Sequence, residues 1–314
     1  MNYKEIKIWE DTDNEAFLKC YILDTKEFHE EKKKPAVIIC PGGGYLRTAE
    51  RESEPVAIKF ASYGYQVFVL KYNVYFGNKE RPDLKNLPQP NEKSVYPQPL
   101  FDLAMAIRII RNNAEEWFID EDKIVLCGFS AGGNLVANMG VKWHEKFISE
   151  KLNVASEHFK PNVLILSYPI TDYTLMKKEF EKNPKEDLKE FWDMSNKAIF
   201  GKENPNEKEL IDLSPALHVS QNTPPTFIWH TANDSLVYSI NSIMFGKALY
   251  EQDIPFELHI FEDGPHGLSL CDETSAGKEE HINHRCKKWF EMAIDFLNRS
   301  EERRVGKECS FRCR

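Results

Sequence analysis

The amino-acid sequence predicts an α/β fold in which helices flank a mostly parallel central sheet of about eight strands. Short runs that are apolar at nearly every position recur at residues 36–40, 66–70, 123–127, 163–166, 226–229 and 256–260. Such runs are typical of strands that are covered on both faces. Segments with helical spacing of apolar residues alternate with these runs, at residues 55–63, 99–113, 131–144, 236–250 and 280–297. The alternation favours parallel strands joined by right-handed crossovers.

The segments outside this alternation complete the predicted domain. Residues 5–10 and 17–23 alternate polar and apolar side chains, which predicts an antiparallel pair of strands at the start of the chain. Residues 77–98 are rich in proline, asparagine and charge, and are interpreted as a long loop. Residues 170–222 separate two predicted strands and have a helical pattern near 187–200. We therefore predict one domain over residues 1–300, with a small helical lid inserted at about 170–222.

Charge and terminal sequences limit the partners and the location of the protein. The 314 residues include 41 Lys and Arg against 50 Asp and Glu, and the net charge of -9 argues against a nucleic-acid partner. No secretory signal or membrane-spanning stretch is recognised, and the seven cysteines form no Cys-x-x-Cys pair. A cytoplasmic protein with no membrane partner is therefore expected. Residues 301–314 become abruptly basic without apolar periodicity, and are interpreted as a vector-derived or disordered tail.

One motif carries a specific chemical prediction. The sequence Gly128-Phe129-Ser130-Ala131-Gly132 follows one predicted buried strand directly and leads into a predicted helix. A Gly-x-Ser-x-Gly sequence at such a turn is typical of an exposed nucleophilic serine, since a sharp turn requires small neighbours. The amides and the positive dipole end of the helix would also face the serine. We predict Ser130 as the nucleophile; the alternative is a glycine-rich packing turn whose serine caps the helix.

A nucleophilic serine needs a base, and the base needs an acid that orients it. Asp234 and His266 each lie in the loop that follows a later predicted strand. The chain order Ser130, Asp234, His266 therefore predicts a catalytic triad, in which His266 accepts the serine proton and Asp234 fixes the imidazole tautomer. Asp172, which follows another strand, is the alternative acid.

The other candidate residues are given structural roles. No catalytic role is expected for five further histidines: His218, His230, His259, His281 and His284. The last two lie beside Cys286 with the spacing of a metal-ligand pair, but no clear carboxylate completes the set, so we predict a solvated helix face and no metal site. The glycine loop at 41–45 allows backbone amides to approach a small ligand closely. It lacks the Gly-x-Gly-x-x-Gly spacing and a following Lys-Ser/Thr, so no nucleotide cofactor is predicted.

Taken together, these residues resemble the α/β-hydrolases of the esterase and lipase type, close to bacterial acetyl esterases and acetylxylan-type carbohydrate esterases. The resemblance spans about residues 34–297 and is carried by segments 41–45, 51–55, 99–104, 127–133 and 264–267, together with Asp234. It implies the same triad, and an oxyanion hole formed by the amides of Gly43, Gly44 and Ala131. Many lipase-like members have His-Gly-Gly-Gly where this chain has Pro41. Because backbone amides are the donors, the hole is expected to survive, and the change favours small acyl groups on carbohydrates over lipid esters.

We therefore expect a serine esterase whose partner is a small-molecule ester, with acetyl as the preferred acyl group and a sugar as the favoured alcohol. Tyr45 and Trp192 are the predicted substrate-binding aromatics. No cofactor is expected. A peptidase or formamidase using the same triad is the alternative enzyme, and a catalytically silent binding protein is the alternative outside enzymes. The sequence leaves open whether the protein forms a homodimer.

Overall fold

The structure is a computed structural model, and it describes residues 1–11, 13–24, 33–77 and 91–312 of the chain. Within these residues, eight strands form one sheet in the order β1-β2-β4-β3-β5-β6-β7-β8. The strands are β1 Asn2–Lys7, β2 Phe17–Ile22, β3 Lys34–Cys40, β4 Gln66–Lys71, β5 Ile119–Phe129, β6 Val163–Ser167, β7 Thr226–Thr231 and β8 Phe256–Phe261. Strands β3 to β8 are mutually parallel, whereas β1 and β2 pair antiparallel and β2 pairs antiparallel with β4. The predicted α/β fold class is confirmed.

The helices cover both faces of this sheet. They are α1 Glu54–Ala61, α2 Gln98–Asn112, α3 Ala131–Lys142, α4 Lys146–Leu152, α5 Tyr173–Lys182, α6 Glu186–Phe200, α7 Glu207–Asp212, α8 Ile240–Glu251 and α9 Trp289–Arg312. Two buried apolar clusters result, one against each face of the sheet. All six residues of β4 and all five residues of β6 are buried, as expected for central strands with near-continuous apolar sequences.

The structure differs from the predicted elements at three places. Strand β8 lies at the edge of the sheet and is half-exposed, so its apolar run does not mark a strand covered on both faces. Residues 280–288 contain short 3₁₀ turns, and the helix predicted at 280–297 begins only at Trp289. Much of the loop predicted at 77–98 lies outside the described residues, and its described end contains a 3₁₀ turn at Glu92–Ser94.

Helices α5, α6 and α7 lie between β6 and β7 in the segment predicted as a lid. Two of them begin at side-chain caps. Asp172 accepts a hydrogen bond from the Leu175 amide at the start of α5, and Asn206 forms a reciprocal capping box with Glu209 at the start of α7. Motion of this segment and the origin of residues 301–314 stay predictions; α9 extends to Arg312.

The parallel strands place the candidate site. Because their carboxyl ends meet at one edge of the sheet, the loops that follow β3, β5, β6, β7 and β8 converge there. The glycine loop at 41–45, the Ser130 turn and the predicted acid and base lie in these loops. Among the described residues, no helix combines the length and apolar character needed to cross a bilayer.

Candidate active site

Ser130 occupies the tight turn between β5 and α3. Its backbone has φ 52° and ψ -118°, a conformation that is rare for a residue with a side chain. The Ser130 amide donates to the Ser167 carbonyl at the end of β6 over 2.9 Å, which fixes the turn to the neighbouring strand. The serine is therefore held at the edge of the sheet by a strained turn, as the motif predicts.

Two glycines make this turn sterically feasible. A Cβ atom on Gly132 would lie 2.0 Å from the Cys40 carbonyl oxygen, and one on Gly128 would lie 2.3 Å from the Gly132 carbonyl oxygen. Real Cβ atoms do not approach backbone oxygens this closely, because the atoms would overlap. The small residues of the motif are thus required by direct backbone contact, and the loop after β3 packs tightly against the start of α3.

The predicted acid and base lie next to the serine. His266 Nε2 is 2.8 Å from Ser130 Oγ, and His266 Nδ1 is 2.6 Å from Asp234 Oδ2. Ser130 and Asp234 are buried, while the His266 side chain keeps 14% exposure. The three side chains therefore form one continuous hydrogen-bonded chain from carboxylate to hydroxyl.

Asp234 is fixed in place from several sides. Its Oδ1 accepts hydrogen bonds from the Leu236 and Val237 amides, at 2.9 and 3.0 Å. The buried His230 on β7 places Nε2 3.2 Å from Asp234 Oδ2. Only Oδ2 is thus left to accept from His266, which sets the direction of the carboxylate. His230 is a buried residue of β7, as expected, but it also contacts Asp234.

Asp234 and His266 each shift the pKa of the other. Burial would by itself raise the pKa of Asp234, but the imidazole of His266 and the hydrogen bonds from both histidines hold this pKa well below its usual range. Burial would lower the pKa of His266, but the attraction and hydrogen bond of Asp234 outweigh it, so this pKa is raised. Asp234 is therefore ionised at neutral pH and stabilises a protonated His266.

Asp172, the alternative acid, and the remaining histidines make contacts outside the triad. Asp172 caps α5 and accepts a 2.6 Å hydrogen bond from Thr174, so it does not serve His266. His218 is half-buried and lies 2.9 Å from the Ile211 carbonyl, and His259 contacts Glu257. His281 is buried against Arg51 in a 3₁₀ turn, so it does not lie on the solvated helix face that the sequence predicts. Within the described residues, no group of three or more His, Cys, Asp or Glu side chains is placed to hold a metal.

The glycine loop after β3 lies directly against the serine turn. A Cβ atom on Gly42 would be only 2.8 Å from Ser130 Cβ. Gly43, Gly44 and Tyr45 follow with φ of 124°, 66° and 58°, a run of positive φ values that the two glycines adopt without strain and that is uncommon for tyrosine. The loop thus turns sharply beside the serine, where Ala131 opens α3.

An inserted helix packs on this loop. Ser195 Oγ on α6 donates to the Gly44 carbonyl over 2.9 Å, and a Cβ atom on Gly44 would lie 2.8 Å from the Phe191 ring. Sequence reasoning missed both residues, although their four-residue spacing on a helix indicates a shared face. The inserted helices therefore reach the loop that borders Ser130.

The two aromatics predicted to bind substrate have different environments. Tyr45 is 1% exposed, packs edge-on against Tyr72, and donates a 2.8 Å hydrogen bond to Asn134 Oδ1. The structure thus places the Tyr45 ring in the core, where these two contacts hold it. Trp192 on α6 lines a cavity of about 230 Å³ within the inserted helices, together with Tyr173 and Leu210. None of Ser130, Asp234 and His266 lines that cavity.

Replacing Tyr45 by phenylalanine is expected to lower stability and leave substrate binding unchanged. The change removes one of two donors to Asn134 Oδ1, since the Asn138 side chain still donates to it over 3.3 Å, so the loss is about 0.5–1.5 kcal/mol of unfolding free energy. Urea unfolding and the KM for p-nitrophenyl acetate measure the two effects. A several-fold rise in KM at unchanged stability would show that the ring contacts substrate after all.

The fold and the arrangement of the site define an α/β-hydrolase: a serine follows one parallel strand, and the acid and base follow later ones in that order. A family model described as BD-FAE, an α/β-hydrolase family, matches residues 23–249. The chain belongs to the BD-FAE family. The match covers Ser130 and Asp234 and ends before His266, which the structure adds to the site.

Three similar proteins have names that refer to ester or xylan hydrolysis. A solved acetyl ester-xyloside bifunctional hydrolase from Caldicellulosiruptor lactoaceticus is 33% identical, with a TM-score of 0.67 over 93% of this chain and 97% of that one. Endo-1,4-beta-xylanase B from Butyrivibrio fibrisolvens is 32% identical over 78% of this chain and 34% of its own length. Acetylxylan esterase from Xylanibacter ruminicola is 24% identical over 82% of this chain and 45% of its own length. The chain thus spans between a third and a half of these two curated relatives.

Proposed function

We propose that the protein is a serine esterase that hydrolyses carboxylic esters through an acyl-enzyme. The observation that carries the proposal is the continuous chain of hydrogen bonds from Asp234 through His266 to Ser130, at 2.6 and 2.8 Å. Hydrogen bonds of this length place a base against the hydroxyl proton and an acid behind the base. The names of the related proteins, which include esterases, support the same reaction class.

In the proposed first step, Ser130 Oγ attacks the ester carbonyl carbon while His266 Nε2 takes the hydroxyl proton. The Asp234 carboxylate stabilises the imidazolium that results. The tetrahedral intermediate then collapses, the bond to the alcohol breaks, and His266 returns its proton to the departing alcohol oxygen. An acyl group remains on Ser130. Water then attacks the acyl carbon while His266 Nε2 takes one of its protons. The bond between the acyl carbon and Ser130 Oγ breaks, His266 returns the proton to Oγ, and the carboxylic acid is released.

The negative charge on the tetrahedral oxygen needs preorganised donors. We assign the amides of Gly43, Gly44 and Ala131 to this task. Support comes from the close approach of the glycine loop to Ser130 and from the position of Ala131 as the first residue of α3. The helix also directs the positive end of its dipole at this point.

We further propose acetyl esters of carbohydrates as the substrate class. Two of the relatives have names that refer to acetyl esters, and both names also refer to xylan or a xyloside. Phe191 and Ser195 pack directly on Gly44 in the loop beside Ser130, and we propose that this packing restricts the acyl site to short groups. Trp192 follows Phe191 on the same helix, and we propose that it contacts the sugar at a distance from the triad, since none of the three triad residues lines the cavity beside Trp192.

A matched substrate panel tests this function. It comprises acetylated xylo-oligosaccharides, p-nitrophenyl acetate, p-nitrophenyl decanoate and p-nitroacetanilide, each assayed with wild type and with Ser130→Ala as background. We expect rapid deacetylation of the sugars and of the short ester, with kcat/KM falling by at least about tenfold for the longer acyl chain. Faster cleavage of the anilide than of the acetate ester would favour an amidase, and no turnover of any ester would overturn the proposal.

A further inference from the structure

A buried carboxylate with no assigned role lies behind the oxyanion loop. Glu52 is 3% exposed and ends the short 3₁₀ turn that precedes α1. Its Oε2 accepts a 2.7 Å hydrogen bond from the Gly42 amide, and its Oε1 accepts a 2.8 Å hydrogen bond from the Tyr168 hydroxyl. Burying a carboxylate is costly unless both oxygens are hydrogen-bonded, so these two contacts account for its presence.

The first contact acts on the loop at its closest point to the nucleophile. A Cβ atom on Gly42 would lie 2.8 Å from Ser130 Cβ and 2.9 Å from Glu52 Oε2. Gly42 is thus confined between the serine and the carboxylate. Because Gly43 and Gly44 follow directly, the direction of their amides depends on how the Gly42 peptide is held.

The second contact extends to the loop of the base. The Tyr168 hydroxyl donates to Glu52 and accepts from the Ser269 amide over 2.9 Å. The Tyr168 ring packs edge-on against the His266 imidazole, with ring centroids 5.1 Å apart. Ser269 Oγ also donates to the Arg51 carbonyl over 2.6 Å. One carboxylate therefore connects three loops of the site, namely those after β3, β6 and β8.

We propose that Glu52 is a positioning residue of the esterase: its carboxylate holds the oxyanion loop through Gly42 and the His266 loop through Tyr168, and places a negative charge near the imidazole. This inference rests on the proposed function. It adds Glu52 to Ser130, Asp234 and His266 as a fourth side chain that determines the rate of ester hydrolysis. Glu52 does not contact the reacting atoms in this assignment; it acts through the groups that do.

The charge has a consequence that packing alone would not produce. His266 is influenced by Asp234, by Glu52 and by Arg51, and His230 adjoins the same Asp234. Burial lowers the pKa of His266, Asp234 and Glu52 raise it, and the Arg51 guanidinium lowers it. Since the base must be neutral, activity declines as pH falls through this pKa. Removal of the Glu52 charge should therefore move the acid limb of the kcat/KM profile to lower pH.

The test compares Glu52→Gln, Glu52→Asp and Tyr168→Phe on p-nitrophenyl acetate across pH. A glutamine would direct its NH₂ group at either the Gly42 amide or the Tyr168 hydroxyl, and both of these are donors. We therefore expect Glu52→Gln to lower kcat by about 10- to 100-fold, which is less than the decrease in kcat when an oxyanion donor is removed. Its KM should change less than twofold, and its acid limb should shift to lower pH. Glu52→Asp and Tyr168→Phe keep the charge, so they should lower kcat while the acid limb stays in place.

Asp102→Asn is the matched control. Asp102 is also a fully buried carboxylate, but its hydrogen-bond partners are Trp9, Asn73 and Gln98. Its replacement by asparagine should leave kcat and the pH profile unchanged. A wild-type kcat and acid limb in Glu52→Gln would overturn the inference, while loss of activity in Ser130→Ala would still support the proposed function. Should Glu52→Gln not fold, a wild-type kcat in either Glu52→Asp or Tyr168→Phe would overturn it equally. Inactivity of the wild type itself would instead contradict the proposed function.

Discussion

Replacing Ser130 by alanine is expected to lower kcat on p-nitrophenyl acetate by about 10⁶-fold, the loss seen when a nucleophile that acts within a triad is removed. The physical reason is that no other hydroxyl lies 2.8 Å from His266 Nε2 among the described residues. The remaining rate would come only from substrate binding and the oxyanion donors. Initial rates, together with intact-mass detection of a phosphonate adduct, measure this effect.

The control for this prediction is Ser62→Ala, which removes an exposed hydroxyl at the end of α1 and should retain full activity. The phosphonate should add one adduct to wild type, mapped to Ser130, and none to Ser130→Ala. Equal rates in wild type and Ser130→Ala would refute the mechanism, as would a label on another residue.

Replacing Asp234 by asparagine is expected to lower kcat by about 10⁴-fold at neutral pH, as in other triads with this change. The surroundings fix the direction of the new amide. The Leu236 and Val237 amides both donate to Oδ1, so the asparagine carbonyl keeps that position and its NH₂ group faces His266 Nδ1. His266 must then accept at Nδ1 and carry its proton on Nε2, where it can no longer accept the serine proton. Steady-state kinetics on the acetate ester measure the loss.

Asp172→Asn separates the two candidate acids. Asp172 caps α5, so its replacement should cost about 1 kcal/mol or less of unfolding free energy and keep kcat within a few-fold of wild type. A full loss of activity in Asp172→Asn with a mild effect in Asp234→Asn would reverse the assignment of the acid.

The parts of the fold and site that sequence could predict are those set by local pattern and chain order. The serine turn is encoded within five residues, because the tight turn, the glycines and the following helix are contiguous. Asp234 and His266 lie far apart in sequence, but parallel strands bring the ends of β7 and β8 to the same edge, so topology was sufficient to pair them.

The parts that sequence missed depend on burial and on contacts between distant segments. Glu52 lies in a charged stretch, Arg51-Glu52-Ser53-Glu54, that has the pattern of an exposed turn, yet its carboxylate is enclosed. The aromatic character of Tyr45 and Trp192 fits either substrate binding or core packing, and only their positions in the fold distinguish them: Tyr45 is buried, whereas Trp192 lines a cavity. Side-chain orientation of this kind is set by tertiary packing, which composition and spacing do not report.

The interlocked glycines beside Ser130 also bear on how this scaffold can be altered in the laboratory. Since an added methyl group at Gly42, Gly128 or Gly132 would overlap neighbouring backbone, randomising these positions would yield mostly unfolded clones. Helix α6 tolerates variety better, because several of its side chains face the Trp192 cavity instead of the sheet. Directed evolution toward new alcohol groups is best confined to the residues of that helix that line the cavity, with Phe191, Ser195 and the glycine framework kept invariant.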